Sequence, residues 1–318
     1  MSSFEEIIQT LKGVLHLIFA HFIIVPYYFF ESFINLFVKK VPKSIRGEVV
    51  LITGAGHGIG KMLAKKYAIE GATVVCWDVN EEFNKATVEY LNKLGYNNVH
   101  GYKVDVTNRE NVMEAAKNVK RNVGNVTILI NNAGIMPHHS FLDHTEQEIR
   151  KIIDINVFGH FWTLQAFLPE MRRNNHGHVV CLSSMAGLVG ANNLVPYNAS
   201  KFAVRGLMEG LHEEFRQYPN NSVYFTTVYP FFVDTGLCKA AYFTYPALFK
   251  VLQPEYVAEK IYEAQIYNCR NLVLPPSMSV IVNSKMIFPD KANNYITENF
   301  KCEILSDLNL PNDKRLEN

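Results

Sequence analysis

The sequence predicts an α/β fold: a doubly wound parallel sheet of about seven strands with helices on both faces, preceded by an N-terminal hydrophobic helix. Three observations carry this. From residue 47 onward, short β-branched runs alternate with helical segments. The first run ends in a glycine-rich turn that opens the first helix. Ahead of both, residues 13–30 contain no Lys, Arg, Asp or Glu.

Composition narrows the function. The 318 residues are 48% hydrophobic and 19% charged, and 31 Lys and Arg face 30 Asp and Glu for a net charge of +1. A nucleic-acid binder needs clustered basic surface. A disordered chain needs low hydrophobicity and high net charge. Neither description fits. Cys76, Cys181, Cys238, Cys269 and Cys302 are scattered, with no CxxC pair. That argues against a zinc site or a disulfide framework, and for a reducing compartment.

The N-terminal segment comes first. As a helix, the uncharged 18 residues span about 27 Å, near the lower limit for a bilayer core of about 30 Å. Pro26 would kink that helix or open a hairpin. Tyr27 and Tyr28 suit an interface, and Lys39, Lys40, Lys43 and Arg46 follow. A cleaved signal would be shorter and would carry a small-residue cleavage site. A buried core helix would not precede an otherwise complete domain. The reading is a membrane anchor with a basic boundary over residues 1–46, and a domain over 47–318 that faces the cytoplasm.

The strands of that domain are expected at 49–53, 73–77, 99–104, 128–130, 178–182, 223–228 and 271–274. Helices are expected between them, including 61–70, 109–122 and 197–217. Between the first strand and first helix lies Gly54-Ala55-Gly56-His57-Gly58-Ile59-Gly60. Its glycines let backbone approach a pyrophosphate, and the helix N-terminus offers unpaired amides. Asp78 ends the second strand, 18 residues after Gly60. A carboxylate there accepts hydrogen bonds from ribose hydroxyls and repels a 2′-phosphate, which favours NAD over NADP. Asn131, Asn132, Ala133 and Gly134 follow the fourth strand. Asn131 is expected to be mainly structural, while Ala133 and Gly134 permit close approach.

Tyr197 and Lys201 are four residues apart and share a helix face. An ammonium beside a phenol lowers its pKa from about 10, which suits proton transfer. Ser184 ends the fifth strand and can reach the same cleft. Taken singly, these are an ordinary turn serine and a common surface pair.

Taken together, the motifs resemble the short-chain dehydrogenase/reductase family, with its Rossmann-type sheet. The matching residues are Thr53 with the glycine loop, Asp105, Asn131 to Gly134, Asn156, Ser184, and Tyr197 with Lys201, over roughly residues 47–275. Trp77 and Asp78, the run Gly159-His160-Phe161-Trp162, and Pro230 to Gly236 are similar to a membrane-associated subgroup. That subgroup holds epidermal retinol dehydrogenases and lipid-droplet 17-beta-hydroxysteroid dehydrogenases.

The resemblance implies roles. Tyr197 would exchange a proton with the substrate oxygen, Lys201 would hold the nicotinamide ribose, and Ser184 would orient the substrate, with Ser183 as runner-up. Asn156 would hold a water that links Lys201 to solvent. Asp105 and Val106 would contact adenine, and Thr235 the carboxamide. Gly54, Gly58, Ile59, Gly60, Asn132, Ala133, Gly134 and Pro230 would complete the cofactor site. Phe231 departs from the family's usual glycine after Pro230. The resemblance also implies a homo-oligomer at the endoplasmic reticulum membrane or a lipid droplet.

The segment 237–252, with Tyr242, Phe243, Tyr245, Leu248 and Phe249, suits an apolar lid over a lipophilic alcohol or ketone. The bland alternative is that these residues pack as core or rest on the membrane, and residues 278–288 suit the latter. The alternative from another class is a lipid-droplet or reticulum surface scaffold that retains a nucleotide-binding fold. The sequon Asn198-Ala199-Ser200 lies inside the proposed site, which agrees with a cytoplasmic domain.

Overall fold

The computed structural model describes residues 2–35, 38, 41–238, 241–245, 249–299 and 302–309. Lys39 and Lys40 of the basic cluster, and Leu248 of the apolar segment, lie outside the described residues. The chain divides into two compact units, Met1–Lys43 and Ser44–Asn318.

The described helical part of the first unit is continuous: α1 (Ser2–Phe19), a π turn (Ala20–Ile24) and α2 (Val25–Asn35). Pro26 has no amide hydrogen, and its ring crowds the carbonyl four residues back. The chain neither breaks nor turns back there. The Val25 amide instead reaches the carbonyl of Ala20, five residues back, and this wider turn accommodates the proline. The stretch Phe4–Ile34 is 31 residues, long and apolar enough to cross a membrane.

In the second unit, seven strands form one parallel sheet. They are β1 (Val49–Thr53), β2 (Thr73–Asp78), β3 (Val99–Lys103), β4 (Ile128–Asn131), β5 (Gly177–Leu182), β6 (Val223–Pro230) and β8 (Asn271–Leu274). A separate two-stranded antiparallel ladder pairs β7 (Ala241–Phe243) with β9 (Cys302–Ile304). The order in the large sheet is β3-β2-β1-β4-β5-β6-β8. The chain starts mid-sheet at β1, builds outward through β3, then returns beside β1 as β4. That reversal opens a crevice at the carboxyl ends of β1 and β4.

Helices cover both faces, so the inner strands are buried on both sides, which explains their continuous apolar runs. Successive residues point to opposite faces. Val50 and Ile52 of β1 pack with Leu63 and Tyr67 of α3 (Gly58–Ile69), Leu91 of α4 (Glu81–Lys93) and Ile261 of α9 (Pro254–Ile266). Leu51 points the other way. It packs in the layer of Val112 from α5 (Arg109–Asn122), Phe167 from α7 (Gly159–Arg173) and Met208 from α8 (Val195–Arg216). Helix α6 (Glu146–Ile153) precedes α7, and α10 (Met278–Ile287) and α11 (Asp290–Asn299) follow β8.

Local chemistry marks the helix starts. Asn80 accepts a hydrogen bond from the Phe83 amide at 3.0 Å, and Asn108 from that of Asn111 at 2.9 Å. Thr145 and Glu148 form a capping box at α6. Pro196 and Pro254 sit in the first turns of α8 and α9. Helix α3 begins at Gly58, three residues before the expected start, because the glycine loop runs directly into it.

Leu63 is fully buried between β1 and α9. Leu63→Ala is expected to destabilise the domain by about 2–5 kcal/mol in denaturant unfolding, through lost burial and a residual cavity. A loss below 1 kcal/mol would show that α3 is not locked into this core.

Candidate active site

The crevice at the ends of β1 and β4 widens into a cleft of about 1690 Å³. Its walls draw on the glycine loop, the ends of β2, β4, β5 and β6, the start of α8 and the C-terminal segment.

The glycine loop is shaped for close approach. Gly54 and Gly58 hold φ of +66° and +53°, which side-chain-bearing residues rarely adopt. A Cβ on Gly60 would lie 2.7 Å from the Asn132 amide nitrogen and against the Gly54 carbonyl. The N-cap of α3, His57, makes no side-chain cap. The amides of that first turn therefore stay available to an anion, and Gly58 and Ile59 line the cleft. Asp78 pins the loop: its carboxylate accepts from the amides of Gly56 at 2.8 Å and Asn80 at 2.9 Å.

Two side chains lash β1 to β4. The Thr53 hydroxyl accepts from the amides of Asn132 at 3.0 Å and Ala133 at 3.1 Å. The Asn132 side chain donates to the carbonyls of Thr53 at 2.9 Å and Gly54 at 3.1 Å. Asn131 is buried beneath, bonded by the Thr163 hydroxyl at 2.8 Å. Asp105 accepts from the Thr107 amide and hydroxyl, and its neighbour Val106 packs over Gly159. Asp105, Val106, Ala133, Gly134, Pro230 and Thr235 all line the cleft, and Thr235 also abuts Gly58.

Tyr197 and Lys201 rise from the first turns of α8 and are buried. Ser184 caps a short 3-10 turn, accepting from the Ala186 amide at 3.1 Å, and is the side-chain hydrogen-bonding neighbour that pulls the Tyr197 pKa down. Ser183 is committed elsewhere: its hydroxyl donates to the Lys201 carbonyl at 2.9 Å. Ser184 is thus the serine beside the tyrosine.

The electrostatics differ from the expectation drawn from spacing. Lys201 was expected to depress the tyrosine pKa. Its amine instead donates to the Leu182 carbonyl at 2.9 Å and lies 5.6 Å from the centre of the Tyr197 ring. Burial dominates and pushes the phenol up to about 12, against the opposing pull of the Ser184 bond. Burial also pulls Lys201 down to about 8. The same desolvation, helped by Lys201, holds His160 at about 3, so it is neutral.

Asn156 sits in a π turn (Asp154–Phe158) between α6 and α7. Its side chain exchanges two 2.9 Å bonds with the Ile135 main chain and donates to Ser200 at 3.1 Å. A water-holding role for this side chain does not fit those commitments.

Phe231, Phe232, Phe243 and Phe249 form one aromatic cluster, with ring centres 4.8–6.0 Å apart. Phe231, Phe232 and Phe249 line the cleft. The departure at Phe231 therefore builds a wall. Thr53, Ser200 and His160 were not read as site residues. Thr53 and His160 stand in the sequence only as members of matching motifs, without a role of their own, and Ser200 only as part of the sequon.

Comparison with known proteins places these features. The family model for short chain dehydrogenase matches residues 48–244. The chain is 42% identical over 261 residues to short-chain dehydrogenase/reductase family 16C member 6 of Bos taurus, covering 82% of this chain and 83% of that one. It is 41% identical over 268 residues to epidermal retinol dehydrogenase 2 of Mus musculus, covering 84% and 87%. The crystal structure of a short chain dehydrogenase/reductase from Burkholderia phymatum in complex with NAD superposes with a TM-score of 0.70 at 29% identity. It covers 76% of this chain and 93% of that one.

The depressed pKa of Lys201 has a stability consequence. Between about pH 8 and 10.5 the unfolded chain holds a proton there that the folded chain has released, so stability rises with pH across that window. Relative to Lys201→Met, the wild type is expected to gain roughly 3 kcal/mol from pH 8 to 10.5 in equilibrium unfolding. Parallel profiles for the two proteins would show that the amine is not desolvated as described.

Proposed function

The chain belongs to the short-chain dehydrogenase family and is an oxidoreductase acting on CH–OH groups; on that premise we propose that it is a membrane-anchored, NAD-dependent dehydrogenase of lipophilic alcohols. Retinol is the first substrate class and hydroxysteroids the second. The observation that carries this reading is the convergence of Ser184, Tyr197 and Lys201 in one cleft. That cleft runs from the glycine loop to the aromatic wall of Phe231, Phe232 and Phe249.

The glycine loop and open α3 terminus fit a pyrophosphate, and Asp78 fits unmodified ribose hydroxyls. Asp105 and Val106 would flank the adenine, and Thr235 and Pro230 the nicotinamide end. The cofactor supplies the hydride acceptor. Ser184 hydrogen-bonds the substrate hydroxyl and holds it against Tyr197. Tyr197 takes the hydroxyl proton as the carbon gives up hydride. The phenolate this needs is favoured by the Ser184 bond and opposed by burial, so oxidation strengthens as pH rises. Lys201 orients the ribose, and a water that links it to solvent would rest on the Asn156 main chain, since that side chain is committed.

Residues 1–46 serve as the anchor and its basic boundary, and residues 47–318 as the dehydrogenase domain, facing the cytoplasm at the endoplasmic reticulum or a lipid droplet. A homo-oligomer is the proposed assembly. The apolar helix Phe4–Ile34 supports the anchor.

Purified enzyme should oxidise retinol or a hydroxysteroid with NAD, and Tyr197→Phe should lower the rate about 10²–10⁴-fold. Equal turnover by both proteins would overturn the mechanism. Inactivity of both across retinoids, sterols and fatty alcohols would favour the scaffold reading. Deleting residues 1–38 should move the protein from the membrane pellet to the supernatant. A truncated chain that still sediments with membranes would place the anchor elsewhere.

A further inference from the structure

Outside the cleft chemistry, one side-chain cluster has no role in the reaction. The loop after β4 carries His139 and His144, and the first turn of α6 carries Glu148. His139 is 1% exposed. Its Nδ1 meets the Asp307 carboxylate at 2.8 Å, and its Nε2 lies 3.6 Å from Glu148 with no hydrogen-bond partner. The His144 ring stacks on it with centres 3.8 Å apart, and both His144 nitrogens are shielded and unpartnered. One donor atom from each of His139, His144 and Glu148 lies within 4.8 Å of the others.

An Asp307 carboxylate at Nδ1 selects the tautomer that carries its proton there and turns the Nε2 lone pair toward Glu148. Unpartnered imidazole nitrogens of His139 and His144 and a carboxylate oxygen of Glu148 converge, an arrangement that a bound cation would satisfy. A carboxylate behind a ligating histidine is the outer-shell partner that such sites use.

We propose that His139, His144 and Glu148 bind one late first-row divalent cation of the zinc type, with Asp307 as the positioning residue for His139. Two nitrogens and one oxygen suit zinc over magnesium or calcium, which favour all-oxygen shells. The site ties the β4–α6 loop to a C-terminal segment 163–168 residues away, by the spacing of Asp307 from His144 and His139. Both partners border the active cleft: Gln147, Arg150 and Lys151 of α6 line it, as does β9. Ile304 of β9 packs in the same cluster as Tyr197. The cation therefore fastens the wall beside the catalytic tyrosine.

Full-length protein in detergent, stripped with a chelator, should bind one Zn²⁺ per chain by titration calorimetry, and Mg²⁺ should not compete. His144→Gln and Glu148→Gln should each weaken Zn²⁺ binding tenfold or more; glutamine at 148 keeps the helix cap. Asp307→Asn should weaken it about 10–100-fold and shift the visible absorption of the Co²⁺-loaded protein. Zn²⁺ at a hundredfold excess over Kd should raise the melting midpoint of the wild type by about 5 °C. It should raise that of Glu148→Gln by no more than about half as much. Absence of stoichiometric Zn²⁺ binding would overturn the site. Unchanged affinity in both His144→Gln and Glu148→Gln would do the same, placing the ion on other groups such as thiols.

Discussion

The cleft depends on how the ends of β1 and β4 are joined. These strands are neighbours in the sheet but meet only after the chain has built and left β3. Where they diverge into loops, their backbone groups lose ladder partners, and each buried orphan would cost about 1–3 kcal/mol. Thr53 and Asn132 satisfy them by exchange: the hydroxyl takes two amides of the β4 loop, and the side-chain amide serves two carbonyls of the β1 loop. Gly54 and Gly60 allow this because a Cβ on either would strike the Asn132 side chain or the backbone beside it. The two loops are thus set as one unit, and the glycine turn and the approach of Gly134 to Lys201 inherit that position.

Burial then sets the chemistry. Desolvation penalises whichever form of a group is charged. It moves the Tyr197 phenol and the Lys201 amine in opposite directions, each toward neutrality. His160 beneath them is held neutral for the same reason. Lys201, at about 8, still carries its proton at neutral pH, so the site pairs a cationic amine with a neutral phenol whose ionisation burial opposes. Ser184 is the exception, since its hydroxyl bonds the phenol directly and favours the ionised form. The geometry commits this serine to the tyrosine and Ser183 to the helix backbone, which separates two adjacent residues of identical chemistry.

Much of this was legible in the sequence for physical reasons. Doubly covered strands read as unbroken β-branched runs, as in Val49–Thr53. The glycine loop and the Tyr197–Lys201 spacing are local patterns, and local patterns survive in a linear reading. Effects that depend on tertiary surroundings did not. Spacing puts an ammonium near a phenol, but only the fold shows that burial outweighs it and that the amine bonds Leu182. The commitments of Asn156 to Ile135 and Ser200 are likewise long-range. At Pro26 a residue rule predicted a kink or a hairpin, and the helix runs on without a hairpin through a one-residue widening of its turn. The three-residue strands β7 and β9 are too short to show a period, and their pairing joins segments about 60 residues apart.

The division of labour along the chain bears on specificity. The residues proposed to recognise a nucleotide and move a proton lie mostly between Gly54 and Lys201, with Pro230 and Thr235 beyond, and they are the parts with motifs. The walls that would meet the substrate come largely from elsewhere: Phe231 and Phe232 after β6, Phe249, α10, and the β9 segment that packs Ile304 near Tyr197. These pieces are held by aromatic contacts and by hydrogen bonds of Asn193 and His138 to the main chain of the C-terminal segment, at 2.7 Å each. None is constrained by the hydride chemistry. Relatives can therefore share the whole catalytic set and still differ in the alcohol they accept. Much of the wall that would set the selectivity of this chain lies in residues 237–309, where the sequence carries no catalytic motif and packing decides.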